Sequence, residues 1–275
     1  LARLERRCGW VSRLPDNALG NLVLRQLRSE GIDVSAVRRA PNERIGTYYI
    51  EFGTKPRGIQ VIYDRAHSAA SRMTLEDVDW NYLLDTRILH MTGITPALSA
   101  SCCQVVAHAI ERAHAAGVTI SFDVNYRAKL WDAATAGATL RPLVAQADVL
   151  FCKSADASLL FGVHGAPSEL LNGMKSLTRA QTIYCTFGEQ GAALLEGDEF
   201  IQQAALPVQL VDRIGSGDAF AAGALDGLLD GDAREGLGRG IALAAIALSQ
   251  YGDRALTTRA ELDAVMAQDA RDITR

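Results

Sequence analysis

Short apolar runs alternate with helical patterns from about Asp85 onward, and this alternation constrains the fold more than any other feature of the sequence. Residues 87–93 form one apolar run. Residues 101–116 then repeat apolar side chains at helical spacing, Gly117 is placed to end that helix, and residues 118–123 form the next run. Alternating strands and helices are the sequence form of a parallel sheet covered by helices. The sequence therefore predicts the α/β class, with a central, mostly parallel sheet flanked by helices.

The rest of the chain extends this pattern with three variations. Residues 148–152 and 182–187 are dense in β-branched and aromatic side chains and predict two buried strands. Two short apolar runs within residues 192–204 flank Gly197 and Asp198, as in a β-hairpin. Residues 208–212 predict a short strand that leads into a glycine-rich turn and a helical final third. At the other end, LARLERR resembles the interior of a helix.

Residues 37–73 break the alternation. Residues 48–52 and 59–63 predict two strands that are joined by the loop GTKPRG, with no helix between them. This pattern indicates an antiparallel flap attached to the main sheet. On composition alone, an ordinary amphipathic hairpin is the simpler interpretation of a flap that carries Arg44, Tyr48, Tyr63 and Arg65, and a cover over a ligand is the alternative.

Composition excludes several functional classes. The 28 Lys and Arg residues and the 32 Asp and Glu residues give a net charge of −4. The sequence therefore has no excess of positive charge that would bind nucleic acid or an anionic membrane. No apolar run reaches the roughly 18 residues of a membrane span, and no secretory signal pattern is visible, so we expect a cytoplasmic protein. The five Cys include no C-x-x-C and the five His include no i, i+4 pair, which predicts reduced thiols and no protein-ligated metal.

The sharpest local signal is the segment VDRIGSGDAFAAGAL, residues 211–225. Gly215 and Gly217 permit close backbone approach, so the N–H groups of residues 215–218 can point into one concavity at a helix N-terminus. Such a concavity binds phosphate. A Walker loop is excluded because no Lys follows, and the dinucleotide fingerprint fails because Phe220 occupies the third glycine position. A glycine turn that only packs a helix, with Asp218 as a capping carboxylate, remains an alternative from the residues alone.

DRIGSGDAFAAG also resembles the signature D-T-x-G-A-G-D-x-F-x-x-G of the ribokinase (PfkB) family of carbohydrate kinases. SRLPDNALG and TFGEQGAALL resemble the early G-x-D-x-x-G and the nucleotide-side T-x-G-x-x-G segments of that family. ERIGTYYIEFG, VIYDRAHSAAS and FDVNYRAKLW resemble the R-T-G-x-Y, Y-x-R-x-x-S-A and F-D-x-N-x-R-x-x-L-W segments of its 2-dehydro-3-deoxygluconate kinases. The resemblance implies one ribokinase-like domain over residues 1–275, with residues 37–73 as a β lid over the sugar.

The same resemblance implies an ATP-dependent kinase that phosphorylates 2-dehydro-3-deoxy-D-gluconate to its 6-phosphate. Asp218 would be the general base, and Mg²⁺ would bridge the phosphates mainly through water. The backbone amides of Gly215, Ser216 and Gly217, next to Asp218, would stabilise the transferred phosphoryl group. The implied nucleotide-binding residues are Gly188, Gly191, Asp212, Gly215 and Gly217. The acceptor carboxylate calls for arginine, and the implied sugar-acid residues are Tyr48, Tyr63, Arg65 and Arg127.

Two departures from the family pattern keep alternatives open. The first is KSAD at residues 153–156, which stands where many members carry N-x-x-E. The second is that the opening strand of the family and its Gly-Gly-x-x-x-N segment are absent from the sequence, so we expect an N-terminal extension in the natural protein. The alternatives are a kinase for another sugar, such as fructose or ribose, and a non-catalytic relative that binds sugar or nucleotide. We also expect a homo-oligomer, with the exposed lid edge as a pairing surface.

Overall fold

The alternation of strands and helices predicted from the sequence is present in the computed structural model, which describes residues 1–53 and 56–267. The chain divides into two compact units: an N-terminal unit, Gly9–Gln146, and a C-terminal unit, Ala147–Arg275 together with Leu1–Cys8. The prediction of a single domain stays a prediction. Within the described residues, no helix is both long and apolar enough to cross a membrane.

The N-terminal unit contains two parallel strand pairs and one antiparallel hairpin. β2 pairs with β4, β7 pairs with β8 in parallel, and β5 pairs with β6 in antiparallel register. Fully buried Ile120, Phe122 and Leu140 form part of its core. Its helices and strands, with β1 at the boundary between the units, are β1 (Cys8–Gly9), β2 (Arg13–Pro15), α1 (Ala18–Ser29), β3 (Ile32–Asp33), β4 (Arg38–Ala40), β5 (Thr47–Glu51), β6 (Gln60–Asp64), α2 (Trp80–Leu84), β7 (Ile88–Thr92), α3 (Ile94–Leu98), α4 (Ala100–Ala116), β8 (Thr119–Asp123) and α5 (Ala133–Val144).

The C-terminal unit is built on four strands in mixed orientation. β9 and β10 are parallel, whereas β10, β11 and β12 run antiparallel to one another in turn. Helices pack on this sheet, and the strand side chains in β9, β10 and β11 are almost entirely buried. The elements are β9 (Val149–Lys153), α6 (Ser154–Phe161), α7 (Pro167–Lys175), β10 (Thr182–Thr186), β11 (Ala192–Glu196), β12 (Glu199–Gln203), α8 (Ser216–Asp230), α9 (Ala233–Leu248) and α10 (Arg259–Met266).

The structure confirms the α/β class and most of the predicted elements. The four predicted strands are β7, β8, β9 and β10, the predicted helix after β7 is α4 with Gly117 at φ 70° as its end, and the predicted hairpin is β11–β12. The flap is also present, as the hairpin β5–β6 with Tyr48 directly opposite Tyr63. Residues 54 and 55 of its GTKPRG loop lie outside the described residues.

Two predictions are wrong. LARLERR is not a helix interior, because a 3₁₀ turn at Ala2–Leu4 closes at Glu5, which adopts φ 64° and donates its N–H to the carbonyl of Ala2. Residues 208–212 form no strand. Instead, the N–H groups of Val211 and Asp212 donate to the carbonyl of Leu248 at the end of α9, at 2.8 and 3.3 Å. The partner of this segment is a helix end and not a neighbouring strand.

Candidate active site

The loop before α8 is held in shape by one buried carboxylate. Asp212 is fully buried. Its Oδ1 accepts from the N–H of Ile214 at 3.0 Å, and its Oδ2 accepts from the N–H of Gly252 at 3.2 Å. A buried carboxylate that is satisfied by backbone donors fixes the segments that supply them. Asp212, which was predicted to bind the nucleotide, therefore shapes the loop that would do so.

Gly215 is required by both its conformation and its surroundings. It has φ 80°, and a Cβ at this position would lie 2.4 Å from the carbonyl oxygen of Asp253. Any other L-residue would be strained at this φ and would also collide with the neighbouring backbone. Gly215 thus allows the chain to turn sharply into α8.

The first turn of α8 presents backbone donors. Its N-cap is Gly215, which has no side chain to cap the helix, and the Oγ of Ser216 donates back to the carbonyl of Arg213 at 3.1 Å. Gly217 is exposed and a Cβ there would meet no atom within 4 Å, so the packing of the protein does not require glycine. Asp218 is exposed in the same turn. A helix N-terminus that begins with glycine and has an open approach favours an anion.

The predicted nucleotide-side turn lies beside this loop. Gly188 begins a 3₁₀ turn after β10 and Gly191 follows it, and the two glycines adopt φ 62° and 96°. A Cβ at Gly191 would lie 2.1 Å from the carbonyl oxygen of Gln203, so this glycine is needed for packing. Glu189 in the turn and Arg213 before α8 approach to 3.8 Å between Oε1 and a guanidinium nitrogen. The structure thus brings together both segments that were predicted to bind ATP.

An aromatic cluster that the sequence reasoning missed fixes α8 on the sheet. The rings of Phe151 in β9 and Tyr184 in β10 stack at 5.1 Å, and Phe220 in α8 packs edge-on against them at 6.4 and 6.1 Å. Tyr184 donates its hydroxyl to the carbonyl of Ala233 at 2.8 Å, and burial raises its pKa. The sequence places one aromatic residue in each of these three segments, but it does not show that the three rings meet.

The other end of α8 carries a buried ionic network, which the sequence reasoning also missed. Asp226 is fully buried and binds three guanidinium groups, those of Arg6, Arg239 and Arg259, at 2.6–2.7 Å. Burial alone would raise the pKa of Asp226, but the hydrogen bonds and charges of Arg259 and Arg6 outweigh it and keep the pKa below its usual range. This network stabilises the helix that carries Asp218.

The hairpin β5–β6, which we call the lid, gathers three of the four predicted sugar-acid residues. The rings of Tyr48 and Tyr63 meet edge-on at 6.4 Å, and the guanidinium carbon of Arg65 lies 5.3 Å from the first ring centroid and 4.4 Å from the second. A guanidinium over two aromatic faces is held by cation–π attraction. The lid therefore offers a positioned cation on an aromatic surface.

Arg127, the fourth predicted residue, lies on a braced loop after β8. Asn125 in this loop has φ 38° and is buried, and Asp123 accepts from its backbone N–H at 3.0 Å and from its Nδ2 at 3.2 Å. Farther along, Lys129 donates its ammonium to the carbonyl of Val61 in β6. The loop is thus linked to the lid within two residues of both Arg127 and Tyr63. Sequence reasoning placed Arg127 on this loop but did not find the link.

The chain is similar to known proteins over most of its length. Residues 1–259 match the pfkB family carbohydrate kinase model. The chain is 34% identical to the 2-dehydro-3-deoxygalactonokinase of Haloferax volcanii, with 96% of this chain and 83% of that protein covered. It is 35% identical to the 2-dehydro-3-deoxygluconokinase of Bacillus subtilis, with coverage of 95% and 82%.

The fold is confirmed by solved structures. The crystal structure of 2-dehydro-3-deoxygluconokinase from Thermotoga maritima superposes with a TM-score of 0.92 at 29% identity, covering 97% of this chain and 85% of that one. The resemblance stated from the sequence motifs is thereby confirmed at the level of the family and of the ribokinase-like fold. The chain belongs to the pfkB family of carbohydrate kinases, which are phosphotransferases that act on a sugar hydroxyl.

Proposed function

We propose that the protein phosphorylates 2-dehydro-3-deoxy-D-gluconate on its 6-hydroxyl with ATP as the donor. The observation that carries this proposal is the Arg65 guanidinium held over Tyr48 and Tyr63 in the lid. A neutral sugar has no group that needs a cation, whereas a carboxylate binds a guanidinium through two parallel hydrogen bonds. The names of the relatives from Bacillus subtilis and Thermotoga maritima support the same acceptor.

Phosphoryl transfer would use the N-terminus of α8. The amides of Gly215, Ser216 and Gly217 would stabilise negative charge on the transferred group, and Asp218 would accept the proton of the attacking hydroxyl. The exposed carboxylate of Asp218 is a hard oxygen donor that suits hydrated Mg²⁺, which keeps most of its ligands as water and phosphate oxygens. When bound with ATP, Mg²⁺ would neutralise charge on the phosphates. The amides of Gly188 and Gly191 would lie on the nucleotide side.

Asp218→Asn tests the proposed base. We expect ATP binding to stay within about twofold, because the amides are unchanged, while kcat falls by at least about 10²-fold. Turnover is measured by coupled ADP release with the sugar acid, and ATP binding by calorimetry. Near-normal turnover would remove Asp218 from this role.

Arg127→Ala tests the acceptor. We expect KM for the sugar acid to rise at least about tenfold, as for the loss of a charge-assisted hydrogen bond, while KM for ATP stays constant. Arg141 on α5 of the same unit is outside the proposed site, and Arg141→Ala is the matched control. Equal losses in the two variants, or a preference for fructose or ribose in the wild type, would contradict the sugar-acid proposal.

The galacto epimer of the acceptor is a second candidate, because the Haloferax volcanii relative is named for it. The two acids differ in the configuration at one carbon, and the Arg65 and Arg127 guanidinium groups would serve the carboxylate of either. Assays with both epimers under identical conditions decide between them by the ratio of kcat/KM.

We also place the reaction in the cytoplasm, where ATP is available.

We propose that the protein is a homo-oligomer that pairs through the lid. Tyr49 and Ile62 lie directly opposite each other in register and are 59% and 55% exposed. An apolar pair this exposed on a two-stranded sheet suits a second copy of the same surface. Light scattering of the wild type and of a Tyr49→Ser, Ile62→Ser double variant tests this. The proposal requires a multimer that dissociates in the variant, and a monomeric wild type contradicts it.

A further inference from the structure

Arg65 lies in the chain just beyond the strand pairing of the lid. β6 ends at Asp64, which is paired with Thr47 at the start of β5. The chain then turns, with His67 at φ 56°, and the next bridge joins Ser68 to Arg44. A residue in such a turn is not aligned by a strand ladder. The position of Arg65 over the two rings of the lid therefore depends on what holds this turn.

The side chain of Arg44 holds the turn on both sides of Arg65. Its Nη2 donates to the carbonyl of Asp64 at 3.2 Å, and its Nη1 donates to the carbonyl of Ala66 at 3.2 Å. The same Nη2 donates to the Oδ2 of Asp64, and this hydrogen bond lowers the pKa of the Asp64 carboxyl. The carbonyl of Arg44 accepts from the N–H of Ala69 at 2.9 Å. One residue thus binds the chain immediately before and immediately after Arg65.

The geometry of these contacts matters more than the charge of Arg44. Its ion pair with Asp64 joins side chains that are 43% and 48% exposed, and an exposed pair stabilises a protein little. A guanidinium, however, has its N–H groups fixed in one plane, so two carbonyls bound to it are held at a set separation. Arg44 therefore restrains the backbone that carries Arg65.

We propose that Arg44 is a positioning residue that acts on sugar-acid binding through Arg65, which rests on the proposed sugar-acid acceptor. With the turn restrained, the Arg65 guanidinium stays over the rings of Tyr48 and Tyr63, at 5.3 and 4.4 Å from their centroids. A cation that is already in place loses less conformational freedom when the carboxylate binds. Loss of Arg44 weakens acceptor binding and leaves the phosphoryl transfer step unchanged.

Steady-state kinetics of Arg44→Ala, Arg65→Ala and the double variant test this assignment. We expect Arg44→Ala to raise KM for the sugar acid about fivefold, while kcat and KM for ATP stay within about twofold of the wild type. In the Arg65→Ala background, Arg44→Ala should add no further increase, because the two residues act as one unit. An independent increase in that background, or no increase in the wild-type background, overturns the assignment.

Arg57→Ala is the matched control, because Arg57 lies in the loop of the same hairpin and forms an exposed ion pair with Glu51 at 2.6 Å. It should leave KM for the sugar acid unchanged. A role of Arg44 that is only structural would raise both KM values or would lower kcat as well. Either result, or an equal effect in Arg57→Ala, contradicts the assignment.

The position of Arg65 is also measured without any sugar, by NMR of arginine-labelled protein. Protons that lie over an aromatic ring resonate upfield, so the side-chain protons of Arg65 should be shifted upfield in the wild type. Arg44→Ala should lose most of this shift and Arg57→Ala should keep it, whereas an unchanged shift in Arg44→Ala overturns the assignment. A wild type that turns over no sugar acid but loses the shift with Arg44 would refute the proposed acceptor and leave the positioning of Arg65 by Arg44 standing.

Discussion

Replacing Asp226 with Asn removes the one fully buried charge that holds the three arginines of the network. Arg259 binds both carboxylate oxygens at 2.6 Å, while Arg6 and Arg239 bind one oxygen each at 2.7 Å. The arginine side chains are only 25%, 25% and 15% exposed, respectively. In Asp226→Asn, three guanidinium groups would face one another with no buried carboxylate between them.

The expected loss of stability is large. Breaking a buried ion pair by removing one partner costs about 3–5 kcal/mol, because an uncompensated charge stays buried. Asp230 remains as a partner of Arg6 and Arg239, at 2.7 and 2.6 Å, so the loss should lie near the lower end of that range. For a chain of this size, about 3 kcal/mol corresponds to a decrease in Tm of roughly 6–12 °C.

Thermal and urea unfolding of the wild type and Asp226→Asn measure this loss. Asp198→Asn is the matched control: Asp198 is 99% exposed and pairs with Lys175, so its removal should change stability by less than about 1 kcal/mol. A loss in Asp226→Asn no larger than that of the control would show that the network does not stabilise α8, and would refute the reasoning.

Three further predictions follow from single contacts. Hydrogen bonds from Arg6 and Arg239 lower the pKa of Asp230 from 3.8 to about 2. The stabilising effect of its carboxylate is therefore complete above about pH 4 and is lost as the pH falls toward 2. The Tm of Asp230→Asn should change less over this pH range than the Tm of the wild type. Gly215→Ala should lower the free energy of unfolding by at least about 1 kcal/mol, whereas Gly217→Ala should not change it in urea titrations. Lys129→Met should raise KM for the sugar acid severalfold and leave KM for ATP constant in steady-state kinetics, because it removes the link between the loop and the lid; equal changes in both KM values would contradict this.

Sequence pattern predicted the elements whose cause is local. The buried strands β9 and β10 are dense in β-branched and aromatic residues, and α4 ends where Gly117 permits a positive φ. Hydrophobic periodicity and the glycine at the helix end were therefore sufficient to predict these elements. The failure at residues 208–212 has the opposite origin. An apolar run suggested a strand, but the amides of this segment bind Leu248, which is more than 35 residues away in sequence.

The candidate site divides in the same way. Motif spacing identified Gly215 and Asp218, because the turn and the helix start are encoded in adjacent residues. It did not predict that Asp212 would be buried under the backbone of Gly252, or that Asp226 would bind Arg6 from the other end of the chain. Those contacts depend on tertiary packing, which one sequence does not display.

The central claim is tested most directly by steady-state assays of ATP with a panel that contains 2-dehydro-3-deoxy-D-gluconate, its galacto epimer, fructose and ribose. We predict that the deoxy sugar acids have kcat/KM at least about 10²-fold above the neutral sugars, because only they carry the carboxylate that suits Arg65 and Arg127. A higher kcat/KM for fructose or ribose, or no ADP formed with either acid, would contradict it.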